Sequence, residues 1–501
     1  MKTVGTFLFN LSGWLLMVAM VLAVWMRGGV PPWAIYVGWG VLSASAVCWG
    51  VGLTLLRRVP TITPVTFVAA ILLLQGWVMA LNPASRYNPV DKIFTPLPDH
   101  ITLLPASWDG YSSVLGMISF TILFVVFHVA LDCWRNDTFR QQMMWALTVS
   151  TAVVAAVGIL QKAGLVAGGL KAQDMSEFGP YGYHANAAAL MLGSLPVAAS
   201  LAVGAWVLNR KAIGTIASAL TLLIIAGIFA NTARSAVALS IFLMIGLALA
   251  YWTMIGGVLP GTWLARFVTI AGIILVAAGG IGISAIVMPA KWHALIDQIT
   301  WLNPRLLQWK IILGMSWDAG FFGTGPNTFS LTFPVTEHFD SQLYNKYILT
   351  YHTPGEEMSI WSHAHSDPLQ ALVEFGWFGF VVWIVAGVWT AAAAIKQMYI
   401  PAPLQVKFSL LAAFAGWLAM MVYSMFDFPM QVLSLQVVAV LLAALIWAER
   451  MTEIQRIEAD RAFGHQILMG RARGMRGGIG MQGMGEIMPG DDLNDDFMLD
   501  Q

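Results

Sequence analysis

Twelve runs of about 20 apolar residues recur along this chain, and a run of that length is what an α-helix needs to cross the hydrocarbon of a bilayer. They fall near 5–26, 33–55, 62–81, 110–131, 142–161, 186–208, 212–230, 235–256, 266–288, 369–394, 406–425 and 429–448. Backbone N–H and C=O groups inside hydrocarbon must be paired within the chain, so runs of this kind read as helices. The expected fold is therefore an all-α polytopic membrane protein with about twelve transmembrane helices. Composition agrees: 58% of the 501 residues are hydrophobic and 10% charged, outside the range of soluble domains. The formal net charge is zero, which gives no reason to expect a nucleic-acid partner.

Residues 5–26 read as the first spanning helix and not as a signal peptide, because the run is long and no small-x-small cleavage site precedes Arg27. Cys48 and Cys133 are the only cysteines and give no disulfide framework. Lys2, Arg57, Arg58, Arg135, Arg210 and Lys407 lie in one set of alternating connections, and Arg27, Arg86, Lys92, Lys162, Lys171 and Arg234 in the other. Taken with the remaining basic residues, the positive-inside bias puts both termini in the cytoplasm and the long 289–368 connection outside. The domain plan is then helices 1–9 over 1–288, an external (periplasmic) loop with short helices over 289–368, helices 10–12 over 369–448, and a cytoplasmic tail over 449–501. That tail turns Gly-, Met- and Arg-rich and is expected to be disordered after about 470.

Within the long loop, "NPRLLQWKIILGMSWDAG" predicts a helix with Asn303 as N-cap, Pro304 in the first turn and a stop at Asp318–Gly320. Arg305 falls in that first turn, where a cation is disfavoured unless an anion is shared with the helix N-terminus; a guanidinium pointing into water is the alternative. Arg234, in "FANTARSAVALS", stands between two apolar runs with almost no connection, either at the membrane edge or facing the protein interior. His363 and His365, in "SIWSHAHSDPLQALVEFGWFG", begin the tenth helix from its outer end. One imidazole there suits a general base. The pair also suits a structural role, or zinc with His352, Glu356, Glu357 and Asp367, although the spacing matches no closed metal pattern. "GTGPNTF" lacks the Gly-Lys-Ser/Thr ending of a phosphate loop and reads as a tight turn. His184 and Asn186 open the sixth helix, and Asp427 lies in the turn between the last two. Arg234, Arg305, His365, His184 and Asp427 all map to one membrane face.

In this order the segments resemble the O-antigen ligase/polymerase family of envelope glycosyltransferases. "GYHANAAAL" is similar to its His-x-Asn helix start, "TARSA" to its Ser-Arg-Gly/Ala element, "PRLLQWKIILGM…GFFGTGPNTF" to its Arg…Trp…Gly-x-Gly stretch, and "HAHSDPLQALVEFGWFG" to its His-Asn-x-x-Leu-Gln…Glu-x-Gly motif; "FDFPMQ" is a weaker fifth. Ala233 stands where many members have Ser, and Ser366 where many have Asn. The resemblance covers residues from about 180 to 435. It implies a C-type glycosyltransferase-like helical fold, an undecaprenyl-diphosphate-linked glycan as donor and the periplasmic face as the place of reaction. It also implies a part in cell-envelope polysaccharide or lipopolysaccharide biosynthesis. By position it makes His365 the catalytic residue. Arg234 and Arg305 are then expected at the diphosphate, with His363, His184, Asn186 and Asp427 in support. The reaction calls for no metal, nucleotide or other cofactor. The acceptor hydroxyl, on a glycan, lipid or protein, stays open. Trp301, Trp309, Trp317, Tyr344, Tyr347 and Tyr351 can stack on sugars, but aromatic residues also gather at membrane interfaces for amphipathic reasons. The helix count alone also suits a transporter or lipid flippase, which would place ionisable groups near the midplane; Glu374 is the one candidate for that.

Overall fold

The computed structural model describes residues 1–91, 93–165, 177–231, 233–255, 302–336 and 362–449. Eleven of the twelve apolar runs are helices: α1 (Lys2–Trp25), α2 (Pro32–Leu56), α3 (Pro64–Leu81), α4 (Gly110–Cys133), α5 (Asp137–Lys162), α6 (His184–Val207), α7 (Lys211–Ala230) and α8 (Arg234–Ile255), then, beyond the non-spanning α9 (Leu302–Asp318), α10 (Asp367–Met398), α11 (Leu404–Tyr423) and α12 (Leu433–Glu449). Among the described residues ten of these are long and apolar enough to cross a membrane, and α12 is a shorter apolar helix. The twelfth run, 266–288, lies outside the described residues, as does the tail after Glu449. Among the described residues sheet is confined to one small hairpin, Ser85–Asn88 with Ile93–Pro96.

Local chemistry fixes several helix starts. Thr63 and Thr66 form a capping box on α3, the Asp109 carboxylate accepts from Ser112 N on α4, and Asn136 accepts from Thr138 N on α5. Helix α6 is the hub. Its alanine-rich stretch from Ala185 to Ala198 is buried throughout, and 78% of its apolar window is enclosed against 28% for α2. Small side chains are what let α7 and α11 approach it closely: Gly193 lies against Met420, and Gly227 against Ala155 and Met191. The end of the bundle where α5 begins is closed by Arg140, whose guanidinium meets Asp137 at 2.8 Å and the buried Glu449 carboxylate at the end of α12.

Helix α10 is 32 residues long but interrupted at Gly376, where φ is 66° and ψ −172°. The backbone groups released by the break are paired by the Gly-rich segment that follows α9. Thr324 N donates to Val373 O at 2.9 Å, Gly325 N to Glu374 O at 2.9 Å, and Phe378 N to Phe321 O at 3.0 Å. Gln75 Nε2, on α3, adds bonds to Phe322 O and Phe375 O at 3.2 and 2.7 Å. "GTGPNTF" is a tight turn, with positive φ at Gly323, Gly325 and Asn327. Unpaired polar backbone is costly in an apolar surround, so the break and the turn exist only together. The described part of the long connection is thus packed into the bundle: Ser113 Oγ on α4 donates to Pro326 O at 2.9 Å, and Trp108 N donates to Thr324 O at 2.8 Å. Gln75 lies six residues before the end of α3, so the turn reaches about 9 Å below that helix end at 1.5 Å per residue. Ile312, Met315, Phe329, Phe333, Ala364 and Val373 form the apolar seam that holds α9 against α10.

A candidate active site at one end of the bundle

The starts of α6, α8 and α10 and the ends of α7 and α11 share one end of the bundle, and side-chain bonds lace them together. Asn231, after α7, donates from Nδ2 to His184 O at 2.8 Å and accepts from Ala233 N through Oδ1 at 2.9 Å. It thereby ties Ala233, the residue before Arg234 and α8, to the first residue of α6. Tyr423, at the end of α11, donates to Ala185 O at 3.3 Å. Asp367 N donates to Ser424 O at 2.9 Å, while the Asp367 carboxylate accepts from Met430 N at 2.9 Å and Gln431 Nε2 at 3.1 Å. That carboxylate is the clamp between the start of α10 and the 424–431 turn.

His365 lies just before α10 with a left-handed backbone, φ 47°, a region non-glycine residues seldom occupy. Its Nδ1 faces Asp427 Oδ1 at 3.4 Å, an ion-pair distance and not an aligned hydrogen bond, and its side chain is 25% exposed. Asp427 is buried. Its Oδ2 is reached by Tyr183 OH and Tyr423 OH, both at 3.4 Å, and its Oδ1 accepts from Phe428 N at 3.0 Å. A carboxylate opposite Nδ1 favours the proton on that nitrogen, which leaves the Nε2 lone pair as the basic one.

His363 has a different environment. Its ring stacks on Phe428 at 4.6 Å and 26°, and Phe428 also stacks with Tyr183 at 5.5 Å and 2°. Burial first, and the neighbouring His365 second, push its pKa down to about 4, against smaller opposing effects of Gln370 and Asp427. His363 is therefore neutral around pH 7. The unfolded chain binds this proton near pH 6.5 and the folded one only near 4, so stability is lost as pH falls through that interval. Thermal melting in detergent is expected to drop between pH 6.5 and 4, and His363→Phe, which keeps a ring against Phe428, to flatten the drop. An equal drop in that variant would assign the pH dependence to other groups.

His184 packs its ring on Tyr183 at 5.1 Å, and Asn186 is buried in the first turn of α6. Arg234 is partly exposed at the start of α8. Of Arg305 the backbone alone is described: it lies in the first turn of α9, ahead of Gln308, whose Nε2 donates to His363 O at 3.3 Å. Trp309 meets Phe426 at 6.3 Å and Trp317 meets Trp377 at 5.0 Å, whereas Trp301, Tyr344, Tyr347 and Tyr351 lie outside the described residues. Glu374 is held within α10 and its neighbours, accepting from Phe329 N and Gln370 Nε2. Among the described residues no three His, Cys, Asp or Glu side chains gather as a metal would need; His352, Glu356 and Glu357 lie outside them.

Sequence reasoning passed over Asn231, Tyr183, Tyr423 and Phe428 as site residues, and placed Asp367 at the helix start or in a zinc set but not as a clamp. "FDFPMQ" held the signal for Phe428, an aromatic next to the aspartate; nothing local marks Tyr183 as its stacking partner.

No curated protein matches the chain. A family model described as O-antigen ligase matches residues 197–384, from within α6 through Arg234 and His365 to beyond the break in α10. With the many-helix membrane architecture and the ordered motifs inside that stretch, the match makes the chain similar, over 188 of its 501 residues, to the O-antigen ligase/polymerase family.

Proposed function

We propose that this end of the bundle faces the periplasm of the bacterial inner membrane and transfers a glycan from undecaprenyl diphosphate to an acceptor hydroxyl. The observation that carries the reading is the His365–Asp427 pair at the bundle end where α8 begins with Arg234. His365 Nε2 takes the acceptor proton as the hydroxyl oxygen bonds to the anomeric carbon, and the bond from that carbon to the phosphate oxygen breaks with its electron pair. Asp427 stabilises the imidazolium. The diphosphate leaves as an anion, and Arg234 and Arg305 neutralise the charge that builds on it. One displacement inverts the anomeric centre. A diphosphate needs little protonation to depart, so the reaction as written calls for neither metal nor nucleotide. His184 and Asn186 line the approach from α6, and His363 packs as a neutral spacer.

The test is release of undecaprenyl diphosphate from a purified lipid-linked oligosaccharide by the reconstituted protein. Arg234→Ala is expected to lower kcat by about 10²-fold, the usual loss for one charge-stabilising donor. A folded Arg234→Ala protein at the wild-type rate would remove this arginine from the mechanism, and donor-independent lipid flux with no glycosidic product would replace the reading with transport.

A further inference from the structure

Gln370 is buried on the first turn of α10 and joins two parts of the molecule that the proposed reaction needs in register. Its Oε1 accepts from Ala364 N, the amide between His363 and His365, at 3.3 Å. Its Nε2 donates to Glu374 Oε1 at 3.0 Å. The Glu374 carboxylate also receives Phe329 N at 3.2 Å and the backbone N–H of Asn327. With those backbone donors converging on it, Glu374 acts as acceptor, and this sets the Gln370 amide one way round: NH2 toward the glutamate, carbonyl toward Ala364. The chain of bonds runs from the Gly-rich turn through Glu374 and Gln370 to the histidine backbone.

His365 needs such a restraint, because its φ of 47° is not held by a glycine. Ala364 is fully buried in the seam of α9 and α10, and the carbonyl before it receives Gln308 Nε2. Gln370 supplies the remaining bond, on the amide adjoining the strained residue. We infer that Gln370 is a positioning residue: it holds the left-handed turn at His365 that aims the imidazole at Asp427, and Glu374 fixes the orientation in which it does so. The inference rests on the proposed role of His365.

Two variants test it in the same undecaprenyl diphosphate release assay. Gln370→Leu keeps the volume and removes both bonds together with the side-chain interaction with His363; kcat is expected to fall about tenfold to 10²-fold, the scale of a small misplacement of a reacting group, with the donor KM unchanged. Gln370→Glu keeps the acceptor for Ala364 N but sets two carboxylates together. When the pair shares one proton, the new carboxyl again donates to Glu374 and accepts from Ala364, so the ratio of its rate to wild type should rise as pH is lowered from about 8 to about 6. A purely space-filling glutamine predicts no such dependence. Wild-type kcat in Gln370→Leu, or a pH-independent ratio for Gln370→Glu, overturns the inference, and the ratio decides the matter if the leucine variant does not fold. His365→Ala run alongside separates the two levels: if it is inactive while Gln370→Leu is normal, only the positioning role fails, and if it is active the reading of the whole site fails.

Discussion

Replacing His365 with alanine is expected to lower glycan transfer by about 10²- to 10⁴-fold, the contribution of a positioned general base, while the protein still folds. The side chain is one-quarter exposed, so its loss opens a space that water can reach and not a sealed cavity. Removing the partner is expected to do less. Asp427→Asn keeps the size of the side chain and one accepting oxygen, enough for either the two tyrosines or Phe428 N, but removes the charge that orients the imidazole and stabilises its protonated form. The expected order of rates is therefore wild type, then Asp427→Asn, then His365→Ala, read as undecaprenyl diphosphate released per monodisperse protein in detergent. Unimpaired transfer by His365→Ala would falsify the base assignment outright.

Gly323→Ala and Gly376→Ala are expected to be among the most destabilising single-methyl changes at the described residues. Both residues have positive φ, and their backbones touch: a Cβ on Gly323 would fall on Gly376 N and Glu374 O, and one on Gly376 on Gly323 N and Phe321 O. Strain of about 1–3 kcal/mol for the backbone conformation adds to about 1–3 kcal/mol for overpacking against atoms that cannot rotate away. Gly320 supplies the control. It also has positive φ, 73°, but its Cβ would meet open space, so Gly320→Ala carries only the conformational part, about 1–2 kcal/mol. Melting temperatures in detergent should fall in Gly323→Ala and Gly376→Ala well beyond the fall in Gly320→Ala. Equal shifts in the three variants would mean that the close approach of the two glycines is not what holds the turn.

The helices were legible because the signal is local: a run long and apolar enough to cross a bilayer carries its own period and length. The break in α10 was not. "VEFGWFG" lies inside a continuous apolar run, glycine is common in membrane helices, and the groups that pair the broken backbone come from Phe321 to Gly325, far back in the chain. The functional side chains divide the same way. His365, Arg234 and Asp427 could each be picked out as a polar group at a helix end, but that His365 faces Asp427 while His363 stacks on Phe428 depends on the left-handed turn at residue 365 and on the Asp367 clamp. Neither has a period or spacing to announce it. Asp367 is legible only as part of a helix start and as one neighbour in a zinc set whose spacing matches no closed pattern; its partners, Met430 and Gln431, come from the turn some sixty residues on.

The interruption at Gly376 also isolates the histidines mechanically. Lipid bilayers of unequal thickness make a spanning helix lean by different amounts, and an unbroken α10 would carry that lean to His365 as a lever carries it to its tip. Here the lever is jointed. The residues on the histidine side of Gly376 are fastened to α3, to the Gly-rich turn and to the loop after α11, and Phe378 N just beyond it to Phe321 O, so the anchored break, more than the lipid-embedded segment that follows, sets the alignment of His365 with Asp427.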